Sequence, residues 1–148
     1  MKIYSIEFFC KNVLSMDNIK SIDDIKIDKN YKHYSIPKKN GTRTISYLEK
    51  TESLYKIQND ITNKILFDEP IPICVKGFVK QESYRSYLLP HVGNNYFLRI
   101  DIKDFFGSTN REHVIKMLDS IVLISNKKEK EILISFLSDV LTLNDCLP

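Results

Sequence analysis

Two carboxylates close an apolar run in the segment Phe97-Leu-Arg-Ile-Asp101-Ile-Lys-Asp104-Phe105-Phe106. An Asp at the end of a strand is costly to desolvate unless it is paired or meets a cation. Phosphoryl transfer assisted by two divalent ions is chemistry that needs such a carboxylate, held at a rigid position. Asp-x-x-Asp by itself is also what an exposed strand end looks like, and short motifs of this kind recur by chance. The discrimination has to come from the residues upstream.

A second chemical feature is the basic stretch from Lys29 to Arg43, which holds Lys29, Lys32, Lys38, Lys39 and Arg43 and no acid. It reads either as a solvated face or as a phosphate-binding edge. The net charge of +3 is too mild to decide between them. Cys10, Cys74 and Cys146 form neither a zinc pattern nor a disulfide framework, which fits a reducing cytoplasm. His33, His91 and His113 show no ligand spacing. The first residues lack the pattern of a secretory signal, and no apolar run approaches the ~20 residues that span a bilayer. A chain of 148 residues is one domain or a piece of one, and 43% apolar content supports a real core.

The elements that must position these residues follow from periodicity. Ile19, Ile22 and Ile25 suggest a short helix over Ser15 to Ile27. Tyr31 to Ile36 and Arg43 to Tyr47 read as two strands joined by Pro37-Lys-Lys-Asn-Gly-Thr42, with Asn-Gly as the hairpin signal. Leu54, Ile57, Ile61 and Ile65 mark one face of a helix from about Glu52 to Leu66, which Pro70 and Pro72 end. Ile73 to Val79 is irregular or a short strand. Asn94-Asn95 turns the chain into a strand from Phe97 to Asp101. Thr109-x-x-Glu112 is a capping box for a helix with Val114, Ile115, Leu118 and Ile121 on its face. Asn126-x-x-Glu129 opens a further helix with Ile132, Leu133, Phe136, Leu137 and Val140 inward. Asn144 to Pro148 offers no visible cap for that helix and no sheet to join.

These pieces, in this order, resemble the N-terminal half of a reverse transcriptase of the bacterial retron and group II intron-like branch. The hairpin Tyr34 to Ile45 resembles its fingers hairpin, and Leu54-Tyr-Lys-Ile-Gln58 the helix after it. Gly77-Phe-Val-Lys80 with Pro90-His-Val-Gly93 resembles its second block. Phe97 to Phe106 resembles polymerase motif A, and Leu147-Pro148 the start of the Leu-Pro-Gln-Gly-x-Pro block. The likeness covers roughly residues 30 to 148, and its strength lies in five motifs in register.

The resemblance implies an α+β fold: residues 1–96 as an N-terminal helical segment and fingers, and 97–148 as the first part of a ferredoxin-like palm. It implies RNA-directed DNA polymerisation with two Mg²⁺ ions, deoxynucleoside triphosphates, an RNA template and a DNA or RNA primer, in a retron or phage-defence setting. Asp101 takes the place of the motif A aspartate that holds both ions, aided by the carbonyl of Ile102. Lys38 or Lys39, with Arg43, takes the place of residues closing over the triphosphate. Asp104, Phe105 and Phe106 fall where the triphosphate tail and sugar pass, with Phe106 as the ring that blocks a ribose 2′-hydroxyl. One of the two rings is expected to belong to the core. The chain departs from the pattern at Gly107, where proline is usual, and at Glu82, where arginine is usual. No Tyr-x-Asp-Asp occurs in it, so the expectation is a fragment, inactive alone, that relies on a C-terminal palm and thumb in cis or in trans. The rival is a non-catalytic nucleic-acid-binding or assembly module, or one half of a split polymerase.

Overall fold

The computed structural model describes all residues except 17–21, 23–24, 26 and 40. It is an α+β structure whose described sheet consists of two antiparallel strands. Two compact units form, one from 1–68 with 104–148 and one from 69–103.

The larger unit is built around α6 (Lys127–Leu141). Its apolar residues recur at helical spacing, so Leu133, Phe136, Leu137 and Val140 lie on one buried face with Ile134 beside them. Asn126 caps it, its side chain accepting from the amides of Lys128 and Glu129, as the spacing to Glu129 predicts. Against it pack α2 (Ser53–Lys64), through Leu54, Ile57 and Ile61, and α5 (Arg111–Asp119), through Val114 and Leu118. α1 (Ile6–Phe8) runs on as a π-helical turn over Phe9–Val13, and the Phe9 ring meets Phe136 edge to face at 6.1 Å. This N-terminal element gives little sequence signal, being too short for a period. Ile3 is wholly buried and is held between Ile121 and Leu123 by two backbone hydrogen bonds of 3.1 and 2.7 Å.

The hairpin is formed by β1 (Lys32–Lys38) and β2 (Gly41–Tyr47). The strands run further toward the turn than the sequence suggests, with Pro37 opposite Thr42 and Lys38 opposite Gly41. Proline is tolerated there because each strand of a two-stranded sheet has an open edge, so a missing N–H can face solvent. Gly41 has φ of +110°, a conformation strained for any other residue. Asn40 of the expected Asn-Gly signal lies outside the described residues, as does most of the helix expected over 15–27, although Ile22 is buried in the core.

Three local expectations are corrected. Thr109 does not cap α5: Asn110 does, its side chain accepting from the His113 amide at 3.2 Å, while the Thr109 hydroxyl donates to the Phe105 carbonyl. Asn and Thr compete for the same role, and the chain places Thr109 at the end of the preceding turn. The end of α6 is not left open. Lys29 Nζ donates to the Thr142 carbonyl at 3.0 Å, and Asn144 and Asp145, with φ of 50° and 60°, turn the chain so that Leu143 and Cys146 pair. Cys146 then bridges to Asn110, and the Leu147 amide donates to the Thr109 carbonyl. Finally, Phe97 to Asp101 is not a strand. A ladder needs a partner, and among the described residues pairing between strands is confined to β1 and β2.

The smaller unit carries α3 (Tyr84–Leu88), opened by a capping box between Ser83 and Ser86. Ile73 to Val79 is irregular, with Phe78 at φ of 58°.

Leu137 is fully buried on α6, so Leu137→Ala is expected to cost about 2–5 kcal/mol. Asn110→Ala is expected to cost about 1 kcal/mol, as loss of an N-cap does. Urea melts followed by circular dichroism check both, and equal stability of Asn110→Ala and wild type would remove Asn110 as the cap.

Candidate functional site

The hairpin places its cations by register. Residues directly opposite share a face, so Lys38 (opposite Gly41) and Arg43 (opposite Ile36) project from the same side. Tyr34, Ile36, Ile45 and Tyr47 share that side, and the Tyr34 and Tyr47 rings meet at 5.7 Å. Lys32 lies there too, paired with Glu49, whose carboxylate raises the lysine above its ordinary pKa by hydrogen bond and charge. His33, Ser35, Thr44 and Ser46 occupy the other side, where His33 Nδ1 and Ser46 Oγ are 3.0 Å apart. Lys38, Lys39 and Arg43 are all exposed at the closed end. One face of the hairpin thus offers cations at the tip and rings behind them, a surface suited to phosphates and planar groups.

Asp104, Phe105 and Phe106 form a second group, at the start of α4 (Phe105–Ser108). Asp104 has left-handed backbone, φ 51° and ψ 57°, and its side chain makes no cap to the helix. The carboxylate lies against Gly107, where a Cβ would overlap it. Glycine here leaves room for an acid that folds back over its own turn, which is a physical account of the departure from proline. Both rings are exposed, Phe105 by 50% and Phe106 by 59%, and they meet edge to face at 5.4 Å. The expectation that one of them is core is therefore wrong. Leu147, whose amide donates to the Thr109 carbonyl, is the apolar residue near this turn that packs on the core. Cys146 Sγ donates to the Gly107 carbonyl at 3.2 Å, joining the C-terminal turn to α4.

Asp101 and Ile102 belong to the smaller unit and are exposed. The segment leading to them is reached by a ladder of ring contacts. Tyr84 meets Tyr87 at 6.1 Å, Tyr87 meets His91 at 5.7 Å, and His91 meets Phe97 at 6.2 Å. A groove of about 530 Å³ runs along these rings and Arg99. His91 thus has a packing role that spacing alone could not reveal. In the same unit Glu82 accepts from Lys76 Nζ at 2.7 Å. Lys76 first, then the Ser86 hydroxyl, holds the Glu82 carboxyl below its ordinary range. The stabilisation this gives is present above the usual Glu pKa and is lost as pH falls through the lowered value. Glu82 is thereby committed to an ion pair at the position where an arginine was expected.

As a metal site the donor types suit Mg²⁺, since the Asp101 carboxylate and the Ile102 carbonyl are hard oxygens. Their number does not complete an octahedron, and among the described residues no group of three or more His, Cys, Asp or Glu is placed to hold an ion. No helix among the described residues is long and apolar enough to cross a membrane.

The coupling of Asp104 to Gly107 is testable. Alanine favours a helix over glycine by about 1 kcal/mol, but here its Cβ must displace the carboxylate. Gly107→Ala is expected to gain less stability in the wild type than in an Asp104→Ala background, measured as a double-mutant cycle by urea melts. Equal effects in both backgrounds would mean that the two residues do not touch in solution.

No protein-family profile matches the chain. Curated proteins do. It is 32% identical over 114 residues to the retron Ec73 reverse transcriptase of Escherichia coli, covering 69% of this chain and 35% of that protein. It is 25% identical over 144 residues to the retron Ec48 reverse transcriptase of the same organism, covering 89% and 34%. It is 28% identical over 90 residues to the retron Mx65 reverse transcriptase of Myxococcus xanthus, covering 61% and 21%. The chain spans about a fifth to a third of the length of these relatives. The likeness read from the motifs is thus to the right group: this sequence is related to the retron reverse transcriptases over part of their length.

Proposed function

We propose that this chain is the fingers (1–96) and the beginning of the palm (97–148) of an RNA-directed DNA polymerase of retron type. The observation that carries this reading is the hairpin register, which gives Lys38 and Arg43 one common face at an exposed tip. Kinship with retron reverse transcriptases supports it.

In this reading the hairpin tip grips the triphosphate of an incoming deoxynucleotide. Lysine serves as a point charge and arginine as a fork, and phosphoryl transfer depends mainly on such positioning and charge neutralisation. Lys38 and Arg43 act together, with Lys39 beside them. Asp101, with the Ile102 carbonyl, would supply part of the oxygen ligation of Mg²⁺, which needs further carboxylates to be complete. Such ions, when bound, neutralise the charge on the attacking and leaving oxygens. Asp104 and the amides of Phe105 and Phe106 line the path of the triphosphate tail. The Phe106 ring excludes a ribose 2′-hydroxyl by bulk. The partners are an RNA template, a DNA or RNA primer and the rest of the palm and thumb. A role in retron-based phage defence belongs to the same proposal.

Three measurements test it. The first is anisotropy of a labelled RNA–DNA duplex across a salt series with the 148-residue chain. Arg43→Ala is expected to lower the log–log salt slope by about one, the loss of one phosphate contact. A slope equal to wild type would take Arg43 off the contact surface. The chain alone is expected to show no templated primer extension with Mg²⁺ or Mn²⁺, and extension abolished by Asp101→Asn would overturn the incomplete site.

The third concerns the sugar, in the complete polymerase. Phe106→Val is expected to reduce discrimination between deoxy- and ribonucleotides, read as the ratio of kcat/KM values, by a factor on the order of 10²–10⁴. Because the ring is exposed, the same change is expected to alter Tm little. An unchanged ratio in an active variant would transfer the role to Phe105.

A further inference from the structure

The hairpin is a lever with one fixed end. Its strands are exposed on both faces along nearly their whole length, so little packing orients them. Seven residues at ~3.4 Å each give a lever of roughly 24 Å. A rotation of about 10° at the root would move the tip by roughly 4 Å on that geometry. Misplacement of a positioning group by even ~1 Å can cost about 10²-fold in rate. Whatever fixes the root therefore fixes where Lys38 and Arg43 are held.

At the root, one side chain joins three elements. Gln58 on α2 donates from Nε2 to the Tyr31 hydroxyl at 2.9 Å and to the Val140 carbonyl at 2.7 Å. Tyr31 immediately precedes β1, and Val140 is in the last turn of α6. Two residues before Tyr31, Lys29 Nζ donates to the Thr142 carbonyl at 3.0 Å. The Tyr31 amide donates to the Lys29 carbonyl at 2.8 Å, so both anchors act on one short segment. An amide is the group for this position. It carries two N–H donors on one nitrogen, and neither a carboxylate nor a lysine could serve both acceptors in the same compact, neutral way. The carbonyls near the end of α6 lack helical partners, so they are acceptors available to be used.

We propose that Gln58 is a positioning residue: together with Lys29 it pins the root of the basic hairpin to the C-terminal end of α6 and so sets the reach of Lys38 and Arg43. The role of the tip rests on the reading of the hairpin as a phosphate-binding element. The anchoring itself does not.

The test uses the 148-residue chain in two arms. In the first, hydrogen exchange is followed by mass spectrometry for wild type, Gln58→Met and Lys64→Met. Methionine removes the donors of each side chain, matching glutamine in length and falling one atom short of lysine. Lys64, the last residue of α2, is the control because its side chain also donates to a backbone carbonyl, that of Val13, a residue outside the hairpin. Gln58→Met is expected to speed exchange in residues 29–47 by at least tenfold relative to α5, and Lys64→Met is not. Equal acceleration by both variants, or none by Gln58→Met, would overturn the anchoring. Tyr31→Phe is a milder variant that keeps the Val140 bond, and its effect on exchange is expected to be smaller and not additive with Gln58→Met. Additive effects would mean that Gln58 and Tyr31 act separately.

The second arm measures binding of inorganic tripolyphosphate by calorimetry. Gln58→Met is expected to weaken it severalfold although Gln58 is remote from the tip in sequence and touches no phosphate in this scheme. Wild-type affinity in Gln58→Met, with exchange accelerated, would overturn the control of reach. A wild-type chain that binds no tripolyphosphate, with the exchange result as expected, would overturn the phosphate reading of the tip and leave the anchor standing.

Discussion

The apolar face of α6 is the constraint to which the larger unit answers. Leu133, Leu137 and Val140 are buried along it, and α2, α5 and the N-terminal π turn each bury a side against it or against one another. The helix also ends in acceptors. The Val140 carbonyl in its last turn takes a hydrogen bond from Gln58, the Thr142 carbonyl just beyond it takes one from Lys29, and Asp139 pairs with Arg111 on α5. One hydrophobic stripe thus determines where the helices lie, and the polar groups at its end determine where the hairpin begins. This division is physically sensible. Area burial is non-directional and gives stability, while hydrogen bonds at the rim give orientation.

How much of this was legible in the sequence depended on the range of the interaction. α2 and α6 were readable because a 3.6-residue period over a dozen residues is a local signal, and Asn126 was readable because capping acts within one turn. The hairpin was readable for the same reason, save that its strands extend past Pro37, which only an open edge permits. Ile3, Gln58 and Lys29 were not readable. Each acts on a residue far along the chain, and nothing in the local pattern of an Ile, a Gln or a Lys announces its partner. The cap at Asn110 was missed because Thr109 stands next to it and satisfies the same rule. Of the candidate site, the pairing of Lys38 with Arg43 on one face follows from hairpin register, whereas the strained backbone of Asp104 and its contact with Gly107 required coordinates.

The segment Phe97 to Ile102 shows what pattern reading assumes. Its apolar residues would suit a strand buried on both faces, yet Phe97, Leu98, Ile100 and Ile102 are exposed and no ladder forms. Local preference supplies a strand former, but only a neighbouring strand can satisfy its N–H and C=O groups. The ring ladder through His91 gives the segment an attachment by side chains at one end. Asp101, at the other end, keeps a solvated carboxylate.

The placement of Ile3 has a consequence for how the chain is made. Its backbone bonds join it to residues around Val122, more than a hundred positions later. A ribosome adding about 5–20 residues each second needs on the order of ten seconds to deliver that partner. Through that interval Ile3, Phe9 and Val13 have no α5–α6 surface to cover them. The Ile3 segment, although synthesised before its partners, must wait for them to reach its native surroundings. Until then it is an apolar segment that a chaperone on the nascent chain would have reason to hold.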